Sequence, residues 1–255
     1  MKTLLKFTSL LLALIFFGFS VYISFFGPVS KDNSQTTFIV PQGNKPFDLA
    51  ESLYNQKLIK NKNGFNFLYS YLFKNFEVKE GGYYINQSFN SWQVLNKLKS
   101  KQDLLWVNIY YCPRKEQVGE KLASILGWDE QKINTWNKLF ENTDYYEGVF
   151  YPDTYLIPVD EPVEQVAKRF ILNFEEKIKP YSDEYLSKNI KWTTGLKIAS
   201  LIAREAAGRE DAKLISGIIW NRLNSDMRLQ IDTTMQYTLG KNEKGSWWGN
   251  ISLEE

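Results

Sequence analysis

Residues 194–207, TGLKIASLIAREAA, carry the most informative pattern in the chain. Ile198, Leu201, Ile202 and Glu205 fall at i, i+3, i+4 and i+7, which is one face of an α-helix. The spacing predicts a helix from about Thr194 to Ala207, capped by Thr193 or Thr194 and ended by Gly208. Glu205 then stands in an apolar stripe where a leucine is expected, and Arg204, about 100° away around the axis, is expected to face out. A carboxylate among apolar neighbours is desolvated, which raises its pKa and favours the protonated form. A general acid at neutral pH needs that environment. The competing reading is an ion pair between Glu205 and Arg209 at i, i+4.

Downstream, a second helix is expected over about Asp211–Leu223, closed by Asn221-Arg222-Leu223, with a turn at Ser225-Asp226. In the stretch that follows, Gln230, Asp232 and Thr234 alternate, so an extended backbone puts them on one polar face. That face is either the wet side of an edge strand or a donor–acceptor row for sugar hydroxyls. Upstream, Val107–Tyr111 reads as a strand, and helical patterns cover about 116–126, 129–141 and 161–178. Between the last two lies EGVFYPDTY (147–155), whose aromatics and Pro-Asp turn exclude a regular helix. It is either a packed loop or one wall of a sugar groove.

A smaller module precedes this region. Thr37–Val40 has strand composition and stops at Pro41-Gln42-Gly43. Helical patterns begin at Phe47 and again over Phe65–Phe73, Gly81–Ile85 reads as a turn into a strand, and Ser91 is expected to cap a further helix. The order suits a compact α+β unit, serving either as a spacer or as a glycan-binding module.

At the N-terminus, Lys2 and Lys6 precede an apolar run from Phe7 to Phe26, ended by Gly27-Pro28. About 20 helical residues cross roughly 30 Å of hydrocarbon. A cleaved signal peptide has a shorter apolar region followed by a small-x-small site, and no clear Ala-x-Ala follows here, so the run reads as an uncleaved anchor. Lys2 and Lys6 favour a cytoplasmic N-terminus, with the remainder outside the membrane. The expected division is an anchor at 1–28, a linker at 29–36, a small module at 37–104 and a larger domain at 105–255.

Composition narrows the chemistry. The 255 residues carry 31 Lys+Arg against 29 Asp+Glu, a net charge of +2, which argues against a nucleic-acid protein carried by bulk charge. The single cysteine, Cys112, excludes an internal disulfide framework. With no histidine, His-based nucleophile triads and histidine zinc sites are excluded, leaving carboxylates as the natural acids and bases.

Four stretches in register, EGVFYPDTY (147–155), ASLIAREA (199–206), WNRL (220–223) and MRLQIDTTMQYTLG (227–240), resemble the YceG-like (MltG) family of membrane-anchored endolytic murein transglycosylases. The resemblance covers nearly the whole chain, and residues 37–104 resemble a LysM-like module. It implies an α+β fold: a transmembrane helix, the LysM-like module, then the N-terminal portion of a mixed catalytic domain, since members continue past the position matching Glu255. Members often carry two acids, two apart, in the ASLIAREA stretch; here the first is Ala203 and the second is Glu205. Members also read Asp-Pro-Thr where this chain has Asp232-Thr233-Thr234.

The resemblance implies cleavage of the β-1,4 bond between N-acetylmuramic acid and N-acetylglucosamine in nascent peptidoglycan, leaving 1,6-anhydro ends. Glu205 matches the family's catalytic residue. Tyr155, Asp153, Gln230, Asp232 and Asn221 are the candidates for sugar binding. No metal or other cofactor is implied. The expected partners are glycan strands, the cytoplasmic membrane and peptidoglycan synthases, not nucleic acid. A non-catalytic peptidoglycan-binding scaffold and an ordinary hydrolase are the alternatives.

Overall fold

The computed structural model describes residues 2–43, 47–72, 76–110, 113–141 and 148–249. Cys112, Tyr111 and Glu147 lie outside them. The chain mixes helix and sheet and divides into two compact units, Met1–Val107 with Thr154–Glu161, and Asn108–Asp153 with Pro162–Glu255.

In the first unit, α1 (Lys2–Phe25) contains an apolar stretch, Lys6–Phe25, of 20 residues with mean hydropathy 2.0. That is long and apolar enough to cross a membrane, and its side chains are exposed. A four-stranded sheet follows in the order β1 (Gln35–Val40), β2 (Gly81–Asn86), β3 (Leu104–Asn108), β4 (Thr154–Pro158). β1 and β2 are antiparallel, from Gln35 opposite Asn86 to Val40 opposite Gly81. The alternation along β1 turns Phe38 and Val40 inward. They meet apolar side chains of α2 (Leu49–Asn55), α3 (Lys62–Leu72) and α4 (Ser91–Lys99) in one core that includes Leu53, Phe65, Tyr83 and Leu95. Helix α4 is capped by Asn90, not by Ser91. The Asn90 side chain accepts from the Gln93 N–H while the Gln93 side chain accepts from the Asn90 N–H, both at 2.9 Å.

β4 is the addition that local pattern did not reveal. Its Thr154-Tyr155-Leu156-Ile157 run joins a sheet whose other strands end 46 positions earlier, at Asn108, so residues 154–161 belong with the first unit. The strand expected at Val107–Tyr111 lies earlier, at Leu104–Asn108.

Tyr83 gives the first unit a pH signature. The side chain is fully buried and its hydroxyl donates to the Lys79 carbonyl at 2.9 Å. Burial pushes the hydroxyl from 10.0 up to about 12. The folded chain therefore keeps this proton to higher pH than the unfolded chain does. The contribution is fully present below pH 10 and is lost as pH rises toward 12. Urea midpoints measured across that window should fall more steeply for the wild type than for Tyr83→Phe; parallel curves would contradict this.

The second unit is helical: α5 (Lys115–Leu126), α6 (Glu130–Leu139), α7 (Val163–Ser187), α8 (Trp192–Glu205), α9 (Arg209–Asn224) and α10 (Asp232–Leu239). Its core centres on Trp136, which has no exposed surface and lies within 5.9 Å, ring to ring, of Trp128, Phe140, Phe150 and Phe170. Helix α7 runs past Pro180, beyond the expected end at 178. Its extension packs on α8, where Gly195 lets the helices close: a Cβ there would lie 2.3 Å from the Tyr185 ring. Gly208 does not end α8; it is extended and stands at the N-cap position of α9, with Ala206 closing α8 and Lys191, not a threonine, preceding it.

Candidate active site

Residues of α8 line two cavities. Ile198 and Ile202 line a cavity of about 450 Å³ together with Tyr185 of α7 and Trp220 of α9. Glu205 continues that stripe by position, but α8 stops there and the side chain is exposed. The expected burial of this carboxylate is thus corrected: the apolar stripe outlasts the packing that covers it. The alternative pair with Arg209 is not formed either. The break at residues 206–208 puts Arg209 on a different helix, and among the described residues Glu205 has no hydrogen bond or ion pair. What fixes its surroundings is Asp211, whose carboxylate accepts the Ala207 N–H at 2.8 Å and pins the connection between α8 and α9.

The other face is built by Lys197, Leu201 and Arg204, at i, i+4 and i+7. Arg204 is exposed, as expected. Its guanidinium sits 3.8 Å over the Trp248 ring. These side chains line a cavity of about 480 Å³, in the range of small-ligand sites, shared with Gly148, Thr233, Thr234 and Tyr237. Three of the four stretches singled out by sequence thus meet at one cavity. EGVFYPDTY supplies Gly148, ASLIAREA supplies Ser200, Leu201 and Arg204, and MRLQIDTTMQYTLG supplies Thr233, Thr234, Tyr237 and Thr238. Gly148 has a left-handed φ of 83°, and a Cβ would lie 2.9 Å from Leu196, so a larger residue would be strained and crowded against α8.

The far wall is held by Arg114, a buried cation. Its guanidinium donates to the Tyr237 carbonyl at 2.7 Å, pairs with Glu116 at 3.3 Å and lies 4.1 Å over the Tyr237 ring. Trp248 is fixed by its indole N–H, which donates to Gln117 at 3.2 Å. Sequence reasoning did not find Arg114, Lys197 or Trp248, because partners 123 and 131 positions apart leave no local spacing.

None of the candidate sugar-binding residues lines this cavity. Asp232 is not on an extended strand. Gln230 takes a left-handed φ of 50°, the chain turns, and Asp232 opens α10, where its acid suits the helix N-terminus. Gln230, Asp232 and Thr234 therefore do not share a strand face, although all three are exposed. Asn221 is exposed in the last turn of α9. Asp153 is exposed in the second unit, accepts from the Asn173 amide at 3.3 Å, and its carbonyl takes the Ile109 N–H at 2.8 Å. Tyr155 belongs to the first unit and is buried, because β4 alternation turns it inward with Ile157.

Residues 38–253 match the family model described as the YceG-like family. Over 287 aligned positions the chain is 26% identical to the endolytic murein transglycosylase of Streptococcus pneumoniae serotype 2, covering 98% of this chain and 51% of that protein. It is also 26% identical to the endolytic murein transglycosylase of Bacillus subtilis, over 89% of this chain and 70% of the relative. The chain therefore spans about half the length of the pneumococcal relative. A crystal structure of a YceG-like protein from Listeria monocytogenes superposes with a TM-score of 0.51 at 24% identity, covering 88% of this chain and 80% of that one. The likeness supports the fold.

Proposed function

We propose, for a chain that belongs to the YceG-like family, endolytic cleavage of peptidoglycan glycan strands by transglycosylation. The carrying observation is the meeting of three motif stretches at one cavity beside α8; Glu205, the last residue of that helix, follows Arg204 of the cavity wall and is not itself among the lining residues. Glu205 is the acid and base. Its carboxyl gives a proton to the oxygen linking N-acetylmuramic acid to N-acetylglucosamine, and the muramoyl C1–O bond breaks. The muramoyl C6 hydroxyl attacks C1 from within the same sugar, and the carboxylate takes the hydroxyl proton. No water is consumed, and a 1,6-anhydro end forms. One carboxyl serves both steps because the nucleophile is already tethered to the electrophile. Two-carboxylate hydrolysis instead needs a second acid to place water or attack directly. Since Glu205 is exposed, the bound strand itself has to exclude water around it.

Asp153, Asn221, Gln230 and Asp232, all exposed and polar, are assigned to sugar hydroxyls and acetamido groups. Tyr155, buried in β4, is assigned to packing instead. Helix α1 is read as a single-pass anchor with Lys2 and Lys6 on the cytoplasmic side, and residues 37–104 as a LysM-like module beside nascent strands and their synthases.

The exposure of Glu205 favours one other reading, a glycan-binding scaffold without catalysis. Incubation of the full chain with uncrosslinked strands, followed by mass spectrometry, separates the readings. Anhydro ends support the proposal. Reducing ends one water heavier indicate hydrolysis. Retention on sacculi with no product indicates a scaffold.

A further inference from the structure

We propose that Lys197 and Arg204 hold carboxylates of the substrate's peptide branch, so that the site selects glycan strands still carrying stem peptides. The inference rests on the peptidoglycan reading above. Three cations line the motif cavity, and no aspartate or glutamate lines it among the described residues. Arg114 is already committed to Glu116 and to the Tyr237 carbonyl. Lys197 and Arg204 have no carboxylate within ion-pair distance among the described residues. They lie two turns apart on one face of α8, about 10 Å along the axis.

Neutral sugars do not call for such a pair. N-acetylglucosamine and the muramoyl ring are uncharged, so the anionic groups of a peptidoglycan strand are the carboxylates of the peptide on the muramoyl lactyl group. The Arg204 head suits this role. Stacking on Trp248 uses the face of the guanidinium and leaves its edge N–H donors for a carboxylate. There is room for a branched ligand as well. Arg204, Trp248 and Pro113 also line a second cavity of about 620 Å³. There the one acid, Glu120, is occupied by Lys241 at 2.6 Å and by the Trp247 indole at 3.3 Å. The Arg204–Trp248 stack is thus a ridge with a trough on either side, one for the strand and one for its branch.

The test compares two substrates: intact uncrosslinked strands, and the same strands with their peptide carboxyls chemically amidated. For the wild type, kcat/KM or binding should favour intact over amidated strands by about tenfold or more. In the Lys197→Gln, Arg204→Gln double variant, the intact-to-amidated ratio should fall to within about twofold of one. Arg204→Lys keeps charge and loses the planar stack, and should retain an intermediate ratio, which separates charge recognition from a displaced Trp248. A wild-type ratio near one, or a ratio unchanged in the double variant, overturns the inference. Failure of the wild type to cleave or bind any strand overturns the peptidoglycan reading instead.

Discussion

Glu205→Gln is expected to lower the release of anhydro ends by about 100- to 10,000-fold, the usual contribution of a positioned acid–base group. The amide keeps the size of the side chain but can neither give the first proton nor take the second. The fold should not notice. Glu205 is exposed and, among the described residues, makes no hydrogen bond or ion pair, so the change should stay within about 0.5 kcal/mol by thermal or denaturant unfolding. This contrast gives the experiment its force: activity and stability are expected to part company completely. Full activity in the variant would remove Glu205 from the chemistry. A large loss of stability would show that the carboxylate has a structural partner. Asp211→Asn makes a useful companion, because it weakens the clamp on the Ala207 N–H while leaving Glu205 itself in place.

The periodic elements of this protein were readable from sequence, and its long-range closures were not. β1, α5 and α6 follow from strand composition or from helical spacing within a few residues. The extended reading of Gln230, Asp232 and Thr234 fails because one left-handed residue, Gln230, turns the chain before Asp232 opens a helix. β4 was hidden because Thr154–Pro158 gains its identity only from a sheet assembled far earlier in the chain. At the site, the Ile198–Ile202–Glu205 stripe was legible, but its burial was not, since coverage ends where α8 ends. Arg204 shows the converse. Its position on α8 was known, yet its role depends on Trp248, which arrives from a different part of the chain. Pattern reveals which face of a helix is apolar; it does not reveal what later segment lies against the other faces.

Trp136→Ala should have the largest effect on stability, about 4 kcal/mol, because it removes a fully buried aromatic and leaves a cavity. The surroundings cannot collapse easily. Four aromatic rings converge on the indole, and its N–H donates to the Lys115 carbonyl at 2.8 Å at the start of α5. Trp136→Phe keeps most of the apolar volume and removes one donor from a carbonyl that, at the first residue of α5, also accepts within the helix, so it should cost less, about 0.5–1.5 kcal/mol. Both values can be read from chemical denaturation followed by far-ultraviolet circular dichroism. The consequence reaches the site through one ring. Phe150 packs on Trp136 at 5.6 Å, and two residues before it Gly148 lines the motif cavity. Loss of the indole should therefore weaken substrate binding at temperatures where most of the protein remains folded, whereas Glu205→Gln should leave binding in place and stop turnover. An alanine variant within about 1 kcal/mol of wild type would show that the ring cluster relaxes around the void, and that the cavity does not depend on it.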